Sequence, residues 1–408
     1  MFVQMHMLQS MPPGNLNRDD TGQPKKCLFG GVTRGRISSQ CLKRNIRLSP
    51  QFQQAFGGVT AQRTKYLPRL VADALAQEFP DFPADEIEGV KTGIAAQFKK
   101  EAKADADADG DTDGGETPAT DVTPQLVFFP APFAAKIARL VHELRTAQPK
   151  AYAKLIGRKA KVSKDEERDI EKALAAFKQQ AFQAKESRSV DVGLFGRMTT
   201  SDLIVDVEAA CQVAHAISTH EALTEGDYFT AMDDLQNKFI TSQTKSGGAA
   251  FLGSGDTVTF FNSAVYYKYL NVDTGALTTA LGADMKAQAR KAASVLLEAA
   301  ALATPTGKQN GFAAHSVPEV ILVEVSTVKR PISYANAFLR PIEGANLMQE
   351  SAQAFDAYCS SIAGAYAPAD VQRHLLAIGS AAGVPFSLQA KRATSLAELA
   401  TAIEKAIA

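Results

Sequence analysis

An α+β fold is what the sequence predicts, and three observations predict it. The first ten residues, "MFVQMHMLQS", alternate between two sets of side chains with a period of two, the mark of a strand. Residues from about 60 to 190 carry helical periodicity almost throughout, and the last third alternates helix and strand patterns. Strand, helix, strand, repeated around an inserted helical block, is the order of an α+β sandwich of the ferredoxin-like kind.

In the first strand Val3, Met5 and Met7 oppose Gln4, His6 and Leu8. "PPGNLNRDDTGQPKK" follows as a turn-rich loop, and Gly30 and Gly31 introduce a short run that sets Arg34 and Arg36 on one face. Either Ser38 or Ser39 can cap the next segment, "QCLKRNIRL", which reads as a helix. Further helices are expected at "RLVADALAQEF" and "APFAAKIARLVHELR". "SKDEERDIEKALAAFKQQ" opens with Ser163 and Glu166 at capping-box spacing, and Ile170, Leu174 and Phe177 form its apolar stripe. "VEAACQVAHAIST" reads as a strand with Val207, Cys211, Val213 and Ile217 on one side, and "VTFFNSAVYYKYLNV" as a long aromatic strand. The segment between them, residues 220 to 257, is too long for a turn and reads as an excursion projecting from a hairpin. "GALTTALGADMKAQARKAASVLLEAAALA" is expected as one Ala-rich helix, "PEVILVEVS" as a strand, and Ser395 with Glu398 as a second capping box.

With 408 residues, 45% of them hydrophobic, the chain can bury a substantial core in two or three domains, or in one domain with insertions. No apolar run approaches the roughly 18 residues that span a bilayer, and the N-terminus lacks the basic start and apolar block of a signal peptide. A cytoplasmic protein with no membrane partner is expected. The four cysteines are scattered without a CxxC pair, which suits free thiols in a reducing compartment. His215 and His220, the only close histidines, would not share a helix or strand face, so no metal, cofactor or catalytic pair is expected from them.

A formal net charge of zero hides a local asymmetry. Arg18 to Arg47 holds eight basic residues against Asp19 and Asp20, whereas Glu101 to Asp121 holds eight acids against Lys103. On a helix Gln40, Lys43, Arg44 and Arg47 fall within an arc of about 100°, with Cys41, Leu42, Ile46 and Leu48 on the other side. The charged face fits two readings, a solvated surface or a clamp for a polyanion. A solvated face usually interleaves acids that pair at i,i+4, and between Arg34 and Arg47 there is none. Positive charge without interleaved acids, beside serine hydroxyls and the amides of a helix start, favours a phosphate backbone. Nothing in the set favours reading bases.

The acidic stretch "DADADGDTDGGE" meets a calcium-loop pattern, with Asp105, Asp107, Asp109 and Glu116 at ligand positions and Gly110 at the turn. Thr112 stands where such a loop wants an apolar residue, and "TPATDVTP" after it is no helix. A flexible acidic loop without metal is the favoured reading.

At this point several motifs, in order, resemble the CasC backbone subunits of type I-E CRISPR Cascade, in the Cas-seven group of the RAMP superfamily. They are "LNRDD", "FGG" followed by "RGRISSQCLKR", "GRMTTSD", "QVAHAISTH", "DYFTAMDDLQ" and "TGKQNGFA". The resemblance implies a modified RRM-like palm with an inserted helical finger domain and a long hairpin thumb. The implied boundaries are palm 1–59, fingers 60–195 with the acidic insertion 102–118, palm 196–219, thumb 220–257 and palm 258–408. It further implies that copies stack head to tail along one guide (CRISPR) RNA with other Cascade subunits, kink it at intervals, and leave bases free to pair with a target DNA strand. Residue by residue, Arg18, Lys25, Ser38, Gln40, Lys43, Arg44 and Arg47 match positions that touch the guide backbone, and Arg34 and Arg36 lie in the same motif. Lys308 and Gln309 match a loop that reaches toward the RNA. Met198, Phe229 and Thr230 match a wedge beside the displaced nucleotide; read from the residues alone, Met198 and Phe229 would be core side chains. The acidic insertion has no counterpart in the family pattern, so target-DNA contacts fall by composition only to Lys150, Lys154, Arg158 and Lys159. The implied protein is a scaffold and not an enzyme. The rival is an RNA endonuclease of the same superfamily, using Asp19 or Asp20 in the loop after the first strand.

Overall fold

The period-two start of the chain becomes strand β1, Phe2–Gly14, and lies inside a ten-stranded sheet. The structure, a computed structural model, describes residues 1–105, 121–130, 132–158, 162–182, 189–198, 203–227, 230–232, 249–251 and 259–408. Two units divide the chain, the first made of Met1–Ala55, Cys211–Gly275 and Arg290–Ala408, the second of Phe56–Ala210 and Ala276–Ala289.

The first unit holds the sheet. Its strands are β1, β2 (Lys26–Phe29), β3 (Val32–Ile37), β4 (Cys211–Val213), β5 (Ala216–Ser218), β6 (Glu225–Asp227), β7 (Thr259–Asp273), β8 (Val320–Ser326), β9 (Gln372–Ala377) and β10 (Lys391–Arg392). Their order is β10-β9-β8-β1-β7-β5-β3-β2, with β4 and β6 also paired to β7. All these pairs are antiparallel except β9 with β10. In β1, Met5 stands between Leu270 of β7 and Val323 of β8.

Both faces of β1 are buried, so its alternation separates two interiors and not core from solvent. On one face Leu8, Tyr267 and Leu322 pack with Tyr334, Phe338 and Phe355, the last from helix Leu347–Tyr366. His6 stacks between Tyr269 and Tyr334, at 4.9 and 4.5 Å between ring centroids, with Nδ1 2.9 Å from the Tyr267 hydroxyl. Burial lowers its pKa, although Glu324 opposes the shift. On the other face Lys268 donates from Nζ to Ala300 O, at 2.6 Å, near the end of helix Lys286–Leu302.

The second unit is mainly helical. Helices Leu67–Glu78, Ala84–Asp105, Pro132–Ala147, Pro149–Leu155 and Lys164–Phe182 converge on Val71, Val90, Ile94, Ile137, Val141 and Phe177. A short antiparallel pair, Ala61–Thr64 with Val127–Pro130, interrupts them. The Ser163 box is reciprocal: Ser163 N donates to Glu166 Oε2 at 2.9 Å, and Glu166 N to Ser163 Oγ at 3.4 Å.

Three expectations change. The strand expected in "VEAACQVAHAIST" is two short strands, β4 and β5, which pair with different stretches of β7, and Val207 forms only an isolated bridge with Arg197. The single Ala-rich helix is two, Thr274–Leu281 and Lys286–Leu302, because Gly282 at φ +88° leaves the helical region between them. At the last helix Ser395 caps Glu398 N, but the Glu398 carboxylate turns to the Thr394 amide and hydroxyl. Within 220–257 the described backbone shows Thr230–Met232 paired antiparallel with Ala249–Phe251. Among the described residues no helix is long and apolar enough to cross a membrane.

Candidate nucleic-acid interface

The acid-free run folds into β3 and helix α1, Ser39–Leu48. Ser38 is the cap: its Oγ accepts from Cys41 N at 3.3 Å. Its own amide donates to Asn17 Oδ1 at 2.8 Å, which ties the helix start to the loop after β1. Leu42 and Ile46 are buried, whereas Gln40 and Arg44 are exposed and Lys43 and Arg47 lie partly exposed. The amphipathic division expected from spacing is present for Leu42 and Ile46, whereas Leu48, expected on the apolar side, is 49% exposed.

The loop after β1 is held from within. Asn15, fully buried, donates to Gly22 O and Phe260 O at 3.0 and 2.7 Å. Asp19 Oδ1 accepts from the Thr21 hydroxyl, Thr21 N and Gln23 N at 2.8, 3.0 and 3.0 Å. These bonds, the Thr21 hydroxyl foremost, hold its carboxyl below the usual range. Lys25 N then donates to Asn17 O, and Arg36 N to Lys25 O, both at 2.8 Å, so the loop runs beside β3.

Loop and helix together wall an open cleft of about 550 Å³. Arg18, Arg44, Asn17 and Asn45 line it, with Asp19 and Asp20, and Thr306 and Gly307 enter from a segment far along the chain. Gly307 is required there: a Cβ would stand 2.5 Å from Asn15 O and 2.8 Å from Leu16 O. Arg18 and Arg44 are exposed and have no carboxylate within ion-pair distance among the described residues. Such cations attract phosphate from solvent without first breaking a protein ion pair.

The other sequence candidates divide. Arg36 is partly exposed and donates to Lys26 O at 3.2 Å and to His215 Nδ1 at 3.1 Å; burial, with Arg36 and Lys25 nearby, lowers the His215 pKa and keeps that ring an acceptor. Arg34 is fully buried, and its guanidinium donates to Phe29 O, Ser218 O and Phe338 O at 3.1, 3.0 and 2.8 Å. The expectation that Arg34 shares a ligand-facing surface with Arg36 is corrected: it joins the β2–β3 turn, the end of β5 and the turn at Phe338. Lys308 is exposed at φ +56°, and Gln309 donates to Pro305 O at 2.9 Å with Oε1 buried and unpaired. Both follow Thr306 and Gly307 at the cleft.

In the second unit Met198 is 91% exposed, which overturns its reading as a core residue. Lys150 pairs with Glu166, Lys154 with Glu171 at 3.7 Å, and Arg158 with Glu86 and Asp85 at 2.8 and 3.1 Å. Each of these cations already has a carboxylate, so composition overstated the charge they offer DNA. Lys159, Phe229, Asp107, Asp109 and Glu116 lie outside the described residues; Asp105 ends its helix, and Thr230 opens its short strand. Among the described residues no cluster of acids, histidines or cysteines could hold a metal ion.

Asn45, Thr306 and Gly307 were not singled out from the sequence. Asn45 carries no charge to attract notice, and although "TGKQNGFA" stood out as a motif, nothing local says that its first two residues face Arg18.

The family model described as CT1975-like protein matches residues 3–402. No curated protein matches. Among solved structures, a chain of a "CRISPR RNA-guided surveillance complex, pre-nicking" is similar with a TM-score of 0.77 and 27% identity, over 100% of both chains. A chain of a "CRISPR RNA-guided surveillance complex" is similar with a TM-score of 0.68 and 23% identity, again over 100% of both, and is alike in fold.

Proposed function

The chain belongs to the CT1975-like protein family, and on that premise we propose that it is the Cas-seven-type backbone subunit of a CRISPR RNA-guided surveillance complex. More finely, it is a CasC subunit of type I-E Cascade that stacks head to tail with its own copies along the guide RNA. The observation that carries the reading is the cleft at the foot of an acid-free helix face, with two arginines, Arg18 and Arg44, that have no carboxylate partner among the described residues.

The chemistry follows from that arrangement. Phosphates are held by Arg18 and Arg44, with Lys25, Gln40, Lys43, Arg47, Lys308 and Gln309 extending the track, and no base edge is needed for affinity. The exposed Met198 supplies apolar bulk to displace one nucleotide at each kink, and Phe229 and Thr230 of the 220–257 excursion are assigned the same task by the family resemblance. Bases between kinks stay free for a target DNA strand, so the protein grips backbone and pairing reads sequence. The subunit acts as a scaffold in the cytoplasm and catalyses no reaction.

Purification of the chain with its partner subunits tests this. RNA of one uniform length is expected to accompany it, and its absence after gentle purification would sink the reading. In a direct binding assay Arg44→Ala should weaken RNA uniformly across sequences and reduce the slope of log affinity against log salt by about one.

A second reading has one observation in its favour: Asp19 and Asp20 line the same cleft as the arginines. On that reading the subunit cuts RNA with a divalent metal. Incubating the complex with complementary RNA and Mg²⁺ decides, since cleavage that disappears in Asp19→Ala or Asp20→Ala would replace the scaffold reading.

A further inference from the structure

The cleft contains more than phosphate donors. Asn45 follows Arg44 on α1, is partly exposed, and lines the cleft. Its Nδ2 donates to Cys41 O at 2.8 Å, which fixes the orientation of the amide, because a carbonyl can only accept. The Oδ1 is thereby left as an acceptor with no protein partner among the described residues. Asn17 is the reverse case: its Oδ1 accepts from Ser38 N, and its Nδ2 remains a donor.

An acceptor is out of place in a site for phosphate alone, since phosphate oxygens are themselves acceptors. Water can donate to it in the free protein; when a strand displaces that water, the donor adjoining each phosphate in RNA, absent from DNA, is the ribose 2′-hydroxyl. Asp19 and Asp20 are also acceptors. However, Asp19 Oδ1 is taken by its own turn, and a free carboxylate repels the neighbouring phosphate. A neutral amide beside an arginine has neither drawback, and a cleft of about 550 Å³ has room for a sugar as well as its phosphate.

We propose that Asn45 is a specificity residue that accepts the 2′-hydroxyl of the nucleotide whose phosphate Arg44 holds, so that the cleft selects ribose over deoxyribose without reading a base. This rests on the backbone-clamp reading above and adds the sugar to it.

The test compares binding of the full chain to an unstructured oligoribonucleotide and to its 2′-deoxy counterpart at one salt concentration. Wild type should prefer RNA, and Asn45→Ala should lower that preference about fivefold, the worth of one hydrogen bond. Alanine is the best helix former, so the variant keeps α1. Asp20→Asn should keep the preference; its loss there, with Asn45→Ala behaving like wild type, would assign the sugar contact to Asp20 and overturn the proposal. A 2′-O-methyl oligonucleotide, which lacks the donor hydrogen, should bind wild type like the 2′-deoxy one, and binding like RNA would overturn the donor assignment. Equal binding of RNA and DNA by wild type leaves the clamp standing and refutes the ribose reading alone. A chain that binds neither refutes the clamp, and this inference falls with it.

Discussion

Arg34 and Arg44 come from one acid-free run, and burial separates what they do. Arg44 meets solvent at the cleft, whereas Arg34 is 0% exposed among the three carbonyls that accept its hydrogens. Carbonyl dipoles replace the water that a buried cation loses, and Phe29 lies alongside, 5.6 Å from ring centroid to guanidinium. Arg34→Met would leave those carbonyls unpaired, and we expect a stability loss on the order of 3 kcal/mol, read from denaturant midpoints. A loss near zero would mean that the carbonyls find other donors. Gly307 is the second single-residue control. Gly307→Ala drives a methyl onto the backbone at Asn15 and Leu16, so the loop has to withdraw. The variant should bind RNA more weakly while Thr306→Ala stays close to wild type, measured side by side in one binding assay. These two roles differ in legibility: Arg44 was readable from helical spacing, whereas Arg34 looked equally suitable because charge and strand position do not report burial.

At the scale of elements, α1 depends on its first turn. Ser38 both caps Cys41 N and anchors to Asn17, so the helix start and the cleft wall share one residue. Ser38→Ala should cost about 1 kcal/mol of stability, checked by thermal or denaturant unfolding, and Ser39→Ala should cost much less. The sequence left Ser38 and Ser39 open as caps because either has the right chemistry; the extended backbone of Ser38, at φ −69° and ψ 149°, decides between them. Long strands and strongly amphipathic helices were legible: β7, β8 and the helix with the Ser163 box stand where spacing set them, and β1 begins as expected but runs on through Pro12 and Pro13, expected as loop, to Gly14. Short elements were not. The separation of β4 from β5 depends on which residues of β7 they meet, and the helix break at Gly282 was masked by a continuous run of good helix formers.

At the scale of the whole molecule, buried titratable groups tie folding to pH. Lys268 is 3% exposed, and burial pushes its pKa down to about 7 from 10.5. Between those values the unfolded chain holds a proton that the folded chain lacks, so this group makes stability rise with pH across that window. Below about pH 7 both states are protonated, and the contribution stays flat at its least favourable. Lys268→Met should flatten the rise, measured as denaturant midpoints from neutral to alkaline pH; an unchanged profile would assign the proton elsewhere. By itself the sequence determined the α+β class, the main strands and helices, and the one-sided cationic helix, because each is written in neighbours a few residues apart. Only the tertiary structure decided that Arg34 is enclosed, that Asn45 and Asn17 present opposite halves of their amides, and that Thr306 and Gly307 complete a cleft begun at Leu16. Those outcomes depend on which distant segments the sheet order brings together, and no local pattern encodes the partner of a side chain hundreds of residues away.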